Sequence, residues 1–337
     1  MNHAELASTA QAIVANHKGI LAADESTGTI AKRFAGINLD STEDRRRDYR
    51  EMLFNAENAG DFIGGVILYD ETIRQQSADG DKTLVEVMQN NGMIPGIKVD
   101  TGAKPMAGRP GETITEGLDG LRERLEEYYK LGARFAKWRA VIDIAQDIPT
   151  YSAVRSNAEA LARYAALCQE ANIVPIVEPE ILMDGDHDIE RCDAVTRQVL
   201  QTVFNALNDA GVYLEGILLK PNMVIAGKQC ANQASVEEVA ERTIAALKRT
   251  VPSAVPGVVF LSGGQTEQQA TANLDAMNKL GELPWALSYS YGRALQQSAL
   301  QAWKGDAGNI PEAQKVYLHR ARCNSLAAAG KYNADMG

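Results

Sequence analysis

The stretch GILLKPN, residues 216–222, sets Ile217, Leu218 and Leu219 directly ahead of Lys220 and stops at Pro221. A run of apolar residues too short for a helix, closed by a residue without an N–H, reads as a strand buried on both faces. A lysine at its end has no structural task in an apolar interior. The same pattern, an apolar run ending in a polar group, recurs in GILAAD from Gly19, GVILYD from Gly65, MIPGIKV from Met93 and FAKWRAV from Phe135. It recurs again in VPIVEPEI from Val174, VVFLSGG from Val258 and WALSYSYG from Trp285, which brings the candidate strands to eight.

Between most of these runs lie stretches of helical spacing, such as Leu118, Leu121, Leu125 and Tyr128, or Leu161, Tyr164, Ala165 and Cys168. Ser235, followed three residues later by Glu238, predicts a helix start closed by a capping box. Eight alternating units are the number that closes a parallel (β/α)8 TIM barrel of the α/β class. A doubly wound open sheet is the competing reading, and no GxGxxG turn supports it. A barrel needs roughly 250 residues or more. The expectation is therefore one barrel domain over 1–337, with an N-terminal helix at 1–17 and a short tail at 330–337.

The chain is 45% hydrophobic and 23% charged, the composition of a globular protein with a large core. A net charge of −10 argues against a nucleic-acid surface or attraction to anionic lipid, so an anionic ligand must be met by a few focused cations. Cys168, Cys192, Cys230 and Cys323 form no CxxC pair and suit a reducing cytoplasm. The opening residues lack the order of a secretory signal, and no run approaches the ~20 apolar residues of a membrane span. A cytoplasmic location is expected.

The polar strand ends carry the functional signal. Asp24 ends the first run, Lys98 the third, Lys137 and Arg139 the fourth, Glu178 and Glu180 the fifth, and Lys220 the sixth; Ser262 and Arg293 follow the seventh and eighth. In a closed barrel these positions converge on the C-terminal mouth, where barrel enzymes keep their chemistry. Poor solvation and a neighbouring cation such as Lys137 both favour the neutral amine of a lysine, which attacks a ketone carbonyl. Lys220 equally suits a lysine that snorkels out of the barrel end or pairs with Glu178. Glu178 and Glu180, turned to one side by strand alternation, can supply an acid and a base, or simply neutralise buried lysines. Asp24 can pair with a lysine or cap the next segment of chain.

Ser262, Gly263 and Gly264 can turn backbone N–H groups toward an anion, and Gly292 with Arg293 adds a close approach and a cation near a helix start. Taken alone, an SGG triplet is more often a turn. Ser26, Lys32, Arg33, Lys98 and Arg139 form a second cationic set across the mouth. Two anion seats flanking one lysine imply a substrate phosphorylated at both ends.

At LAADESTG, GIKVD, FAKWR, VEPEILMDGDHD, LLKPNM, FLSGGQ and SYGRAL, from about residue 18 to Tyr332, the sequence resembles the class I fructose-bisphosphate aldolases. The resemblance implies reversible cleavage of fructose 1,6-bisphosphate to dihydroxyacetone phosphate and glyceraldehyde 3-phosphate, in glycolysis and gluconeogenesis. It implies Lys220 as the Schiff-base nucleophile, Glu178 as acid and base, Lys137 and Asp24 assisting, and Glu180 supporting Lys220. The iminium is the electron sink, so no metal and no cofactor are expected. Ser262, Gly263 and Arg293 would receive the C1 phosphate, while Lys98, Arg139 and Ser26 lie toward the C6 phosphate. Arg46 matches a residue linked to substrate binding, although the RRRDYR run also reads as a solvated helix face. A homotetramer is implied as well.

Thr101 and Thr29 stand where the family often has lysine and serine. Family members commonly continue past GKY at 330–332 into a tail ending in a tyrosine that moves a proton at C3; here the residues end at Gly337, and slow enamine protonation or a substitute base is expected. A zinc-dependent aldolase would need clustered histidines, and His3, His17, His187 and His319 are scattered. His187, with Asp184, Asp186 and Asp188, lacks a twelve-residue calcium pattern and reads as part of a solvated loop. A barrel that has lost catalysis and serves as a scaffold is the remaining alternative.

Overall fold

The computed structural model describes residues 1–336. Its strands are β1 (Gly19–Ala23), β2 (Ile63–Leu68), β3 (Ile94–Lys98), β4 (Gly102–Pro105), β5 (Thr113–Glu116), β6 (Phe135–Ile142), β7 (Val174–Ile181), β8 (Leu218–Leu219), β9 (Gly257–Phe260) and β10 (Ala286–Tyr291). All but β4 and β5 join in a closed barrel, in the order β1-β10-β9-β8-β7-β6-β3-β2. Its neighbouring strands are parallel. This is the expected TIM barrel.

Helices α1 (His3–Val14), α2 (Thr27–Ala35), α3 (Glu43–Phe54), α4 (Asp70–Ile73), α5 (Leu84–Asn90) and α6 (Leu121–Lys130) accompany the first half. Helices α7 (Tyr151–Glu170), α8 (Ile189–Asp209), α9 (Val236–Thr250), α10 (Glu267–Asn278), α11 (Arg293–Trp303) and α12 (Ile310–Ala328) accompany the second. None of the described helices is long and apolar enough to cross a membrane. The spaced residues Leu161, Tyr164, Ala165 and Cys168 are buried along α7. At α9, Ser235 accepts the Glu238 N–H, half of the expected capping box. Complete boxes form instead at Thr83–Glu86 and Thr266–Gln269.

Two apolar bodies result. One fills the barrel: Ile20, Ala22, Ile67, Phe135, Val174, Ile176, Leu218 and Val259 cluster with Leu6, Ala10, Ile13 and Val14 of α1, which packs on the strands from the N-terminal side. The other is the shell between strands and outer helices, holding Trp138, Val177, Leu219 and Phe260. Strand alternation separates the two, because successive side chains of a strand point to opposite faces. Phe135, Lys137 and Arg139 therefore share the inward side of β6, as Val174, Ile176, Glu178 and Glu180 share that of β7. The inward residues change from apolar to charged as each strand nears its C-terminal end. Space for the Phe135 ring comes from Gly96, where a β-carbon would fall 2.3 Å from it.

The sixth apolar run pairs over less of its length than its composition suggests. Only Leu218 and Leu219 count as strand. The backbone nevertheless stays in line, since Lys220 donates its N–H to the Val177 carbonyl at 2.8 Å and Leu261 donates to the Pro221 carbonyl at 3.1 Å. An antiparallel hairpin, β4–β5, was not anticipated. It docks on β6 through the Thr113 and Thr115 hydroxyls, which donate to the Val141 and Arg139 carbonyls at 2.9 and 2.7 Å.

Candidate active site

Where the charged strand ends converge, a cleft of about 350 Å³ opens at the barrel mouth. Lys220 lies at its floor and is 4% exposed; Lys137 and Glu178 are 5% and 2% exposed. Glu178 offers one oxygen to each lysine, 3.1 Å to the Lys220 Nζ and 3.2 Å to the Lys137 Nζ. Lys137 also donates to Asp24 at 3.0 Å. Two ammonium groups and two carboxylates thus form one continuous buried chain. Burial opposes ionisation of Asp24, but Lys137, Lys220 and Lys98 outweigh it and hold the carboxyl well below the usual aspartate range. Burial likewise opposes the charge on Lys137, and Asp24 and Glu178 outweigh it, lifting the ammonium above the usual lysine range.

Glu180 turns into the same cleft but pairs with Arg139. Burial works against the Arg139 charge, and Glu180 more than restores it. Beside them Lys98 meets Asp100 at 3.2 Å. Ser26 caps α2, and its hydroxyl lies 3.1 Å from that of Thr29, which also lines the cleft.

Across the mouth, Ser262, Gly263 and Gly264 form a tight turn closed by the Gln265 N–H on the Ser262 carbonyl at 3.0 Å. Gly263 and Gly264 have φ of 58° and 86°, a left-handed backbone that glycine adopts without steric cost. Gly292 is the N-cap of α11 and Arg293 its first residue, so the N-terminus of that helix lines the same cleft as the turn. The mouth thus brings a lysine–glutamate pair together with a glycine turn and Arg293 on one side and the paired cations Lys98 and Arg139 on the other.

A sequence profile described as fructose-bisphosphate aldolase class-I matches residues 5–337. The chain belongs to the class I fructose-bisphosphate aldolases. It is 60% identical to a probable class 1 fructose-bisphosphate aldolase of Xanthomonas campestris, over 98% of this chain and 99% of that one. It is 57% identical to the fructose-bisphosphate aldolase of Dictyostelium discoideum, over 98% and 93% of the two chains. Among solved structures it is similar to the Plasmodium falciparum fructose-bisphosphate aldolase, crystallised with TRAP and a small-molecule inhibitor: TM-score 0.97, 52% identity, 98% and 96% coverage. As a class I aldolase it is a lyase, cleaving fructose 1,6-bisphosphate reversibly through a lysine Schiff base.

Not every residue singled out in the aldolase sequence reaches the mouth. Lys32 and Thr101 are exposed and outside the cleft lining. Arg46 is buried and also outside it, its guanidinium held by Glu71 at 2.9 and 2.5 Å and by the Ser41 carbonyl. Arg33 does line the cleft, 3.6 Å from a β-carbon built on Gly292, so it borders the Arg293 side rather than grouping with Lys98. In the loop expected to be solvated, Asp184, Asp186 and Asp188 are exposed, but His187 is buried, and burial holds its imidazole below the usual range despite Asp143, Asp186 and Asp188.

Four polar lining residues were missed by sequence reasoning: Glu25, Asp100, Lys228 and Ser290. Asp100 and Ser290 carried a readable signal, since each stands two positions from another mouth residue, Lys98 and Gly292. Glu25 pairs with Arg33 and accepts at 3.1 Å from Gln296, which is distant in sequence. Lys228 lies in a loop with no periodicity to read.

Proposed function

We propose that Lys220 is the amine that condenses with C2 of fructose 1,6-bisphosphate and that Glu178 moves the protons. The observation that carries this reading is the two-sided contact of Glu178, one oxygen on each buried lysine. A proton passing 3.1 Å from Lys220 to Glu178 yields a neutral nucleophile and a carboxylic acid together. The chain of two cations and two anions keeps zero net charge through that transfer, so the low-dielectric floor does not oppose it.

The neutral amine adds to the C2 carbonyl, giving a carbinolamine. The Glu178 acid protonates its hydroxyl, water departs, and the nitrogen lone pair completes the iminium. The Glu178 carboxylate then takes the proton of the C4 hydroxyl. The C3–C4 bond breaks, its electron pair moves through C3 and C2 onto the iminium nitrogen, and glyceraldehyde 3-phosphate leaves. Glu178, now protonated, returns its proton to C3 of the enamine, and water adding at C2 of the resulting iminium releases dihydroxyacetone phosphate and Lys220.

Lys137, fixed between Asp24 and Glu178, donates toward the oxygens of the reacting carbons and steadies charge as it develops there. Glu180 acts through Arg139, which it orients toward the C6 phosphate with Lys98 and Ser26. Ser262, Gly263, Gly292 and Arg293 hold the C1 phosphate, with Arg33 at its border. Arg46 acts at a distance, through Glu71, Arg50 and Glu25 to Arg33. Resemblance further supports one cooperative domain, a homotetramer and a cytoplasmic location; sedimentation at micromolar concentration tests the assembly, and a monomer would overturn it.

Lys220→Met tests the central role. Cleavage of fructose 1,6-bisphosphate should fall at least ~10³-fold with the circular dichroism spectrum unchanged. Turnover within a few-fold of the unaltered enzyme would overturn the assignment.

A further inference from the structure

The loop 226–230 crosses the mouth with its backbone fixed. Gly227, Lys228 and Gln229 donate their N–H groups to the carbonyls of His187, Met183 and Gly185 at 2.8, 2.7 and 2.9 Å. The base of Lys228 is therefore anchored to the loop that follows β7, and its ammonium reaches over the glycine turn. A β-carbon built on Gly264 would lie 2.7 Å from the Lys228 Nζ and 3.4 Å from an Arg293 guanidinium nitrogen. Two cations thus border the same small volume above Gly263 and Gly264.

A phosphate ester carries a charge of about −1.5 to −2 near neutral pH. The seat described above supplies Arg293, a serine hydroxyl and backbone N–H groups, which compensate about one unit of charge, while Arg33 at its border is already neutralised by Glu25. Lys228 can supply the second. Its present partner is Asp184 at 3.2 Å, in a pair whose side chains are 42% and 64% exposed. Exposed pairs of this kind contribute little to stability and exchange readily. Asp184 therefore holds the ammonium beside the seat without removing it from use.

We infer that Lys228 is a second cation of the C1-phosphate seat, exchanging Asp184 for the phosphate of the ketose or of dihydroxyacetone phosphate. The inference rests on the reading that this seat, and Lys220, serve the triose that becomes C1 to C3.

Borohydride trapping at increasing dihydroxyacetone phosphate tests it. Lys228→Met should raise the half-saturating concentration on the order of ten-fold, as loss of one charge-assisted hydrogen bond would. The amount trapped at saturation should not change, which reports an intact fold and an intact Lys220. Lys228→Arg should restore most of the affinity, and the KM for glyceraldehyde 3-phosphate in the condensation direction should stay the same in all three proteins. An unshifted saturation curve for Lys228→Met, or an equal weakening toward glyceraldehyde 3-phosphate, would overturn this assignment alone. Absence of any adduct in the unaltered enzyme would overturn the Lys220 reading and this inference with it.

Discussion

Glu178 and Asp24 together hold Lys137 from two sides, and that arrangement sets how the site responds to acid. A carboxyl held below its usual range adds stability above its unfolded value, near 3.9, and loses that contribution as pH falls toward the folded value. Asp24→Asn should therefore cost about 2 kcal/mol at pH 7, since Lys137 keeps only Glu178 as an anionic partner. The difference from the unaltered protein should shrink between about pH 4 and pH 2. Urea midpoints across that range check it; a difference that grows with acid would mean that Asp24 is not the stabilised carboxylate. The charged residues of this cluster were readable from sequence because charges recur at the ends of successive apolar runs, positions that converge in a closed barrel. Their pairing was not. Nothing in the sequence says that Glu180 meets Arg139 while Glu178 meets both lysines, since that choice depends on the stagger of β6 against β7.

Strand β6 carries its ionic pair on a rigid apolar base. The Phe135 ring fills the barrel below Lys137, and the Trp138 ring on the opposite face stacks on Tyr164 at 5.5 Å. Gly96 of β3 faces Phe135 without a side chain to spare. Gly96→Ala should then destabilise by about 2 kcal/mol through overpacking, and Phe135→Ala by about 3 to 5 kcal/mol through a cavity. The double variant should be less destabilised than the sum, because the new methyl enters the space the ring vacates. Additivity in chemical denaturation would show that the two positions do not touch. Seven of the eight apolar runs overlap closely with the strands found, since a buried strand needs little more than apolar length. The run at Gly216 is the exception, shortened to Leu218–Leu219 between a 3-10 turn at Leu214–Gly216 and Pro221, which lacks the N–H needed to continue the ladder. The β4–β5 hairpin escaped reading because its residues are mostly exposed or intermediate and show no apolar alternation.

The whole molecule is acidic, with a net charge of −10, yet the cleft lining holds seven lysines and arginines against six carboxylates. A slightly cationic cleft in an anionic body concentrates its field on the entrance, and a doubly phosphorylated sugar is drawn to that spot alone. Salt should weaken this attraction: raising ionic strength from about 0.01 to 0.1 M shortens the screening length from about 30 to 10 Å. KM for fructose 1,6-bisphosphate should rise several-fold over that range while kcat changes little; a KM independent of salt would place recognition in uncharged contacts. The most direct probe of the chemistry is the position of the covalent intermediate. When the protein is mixed with dihydroxyacetone phosphate, reduced with borohydride, digested and mapped by mass spectrometry, the mechanism predicts one reduced adduct, on Lys220. An adduct on Lys137 or any other lysine, or none at all, contradicts it.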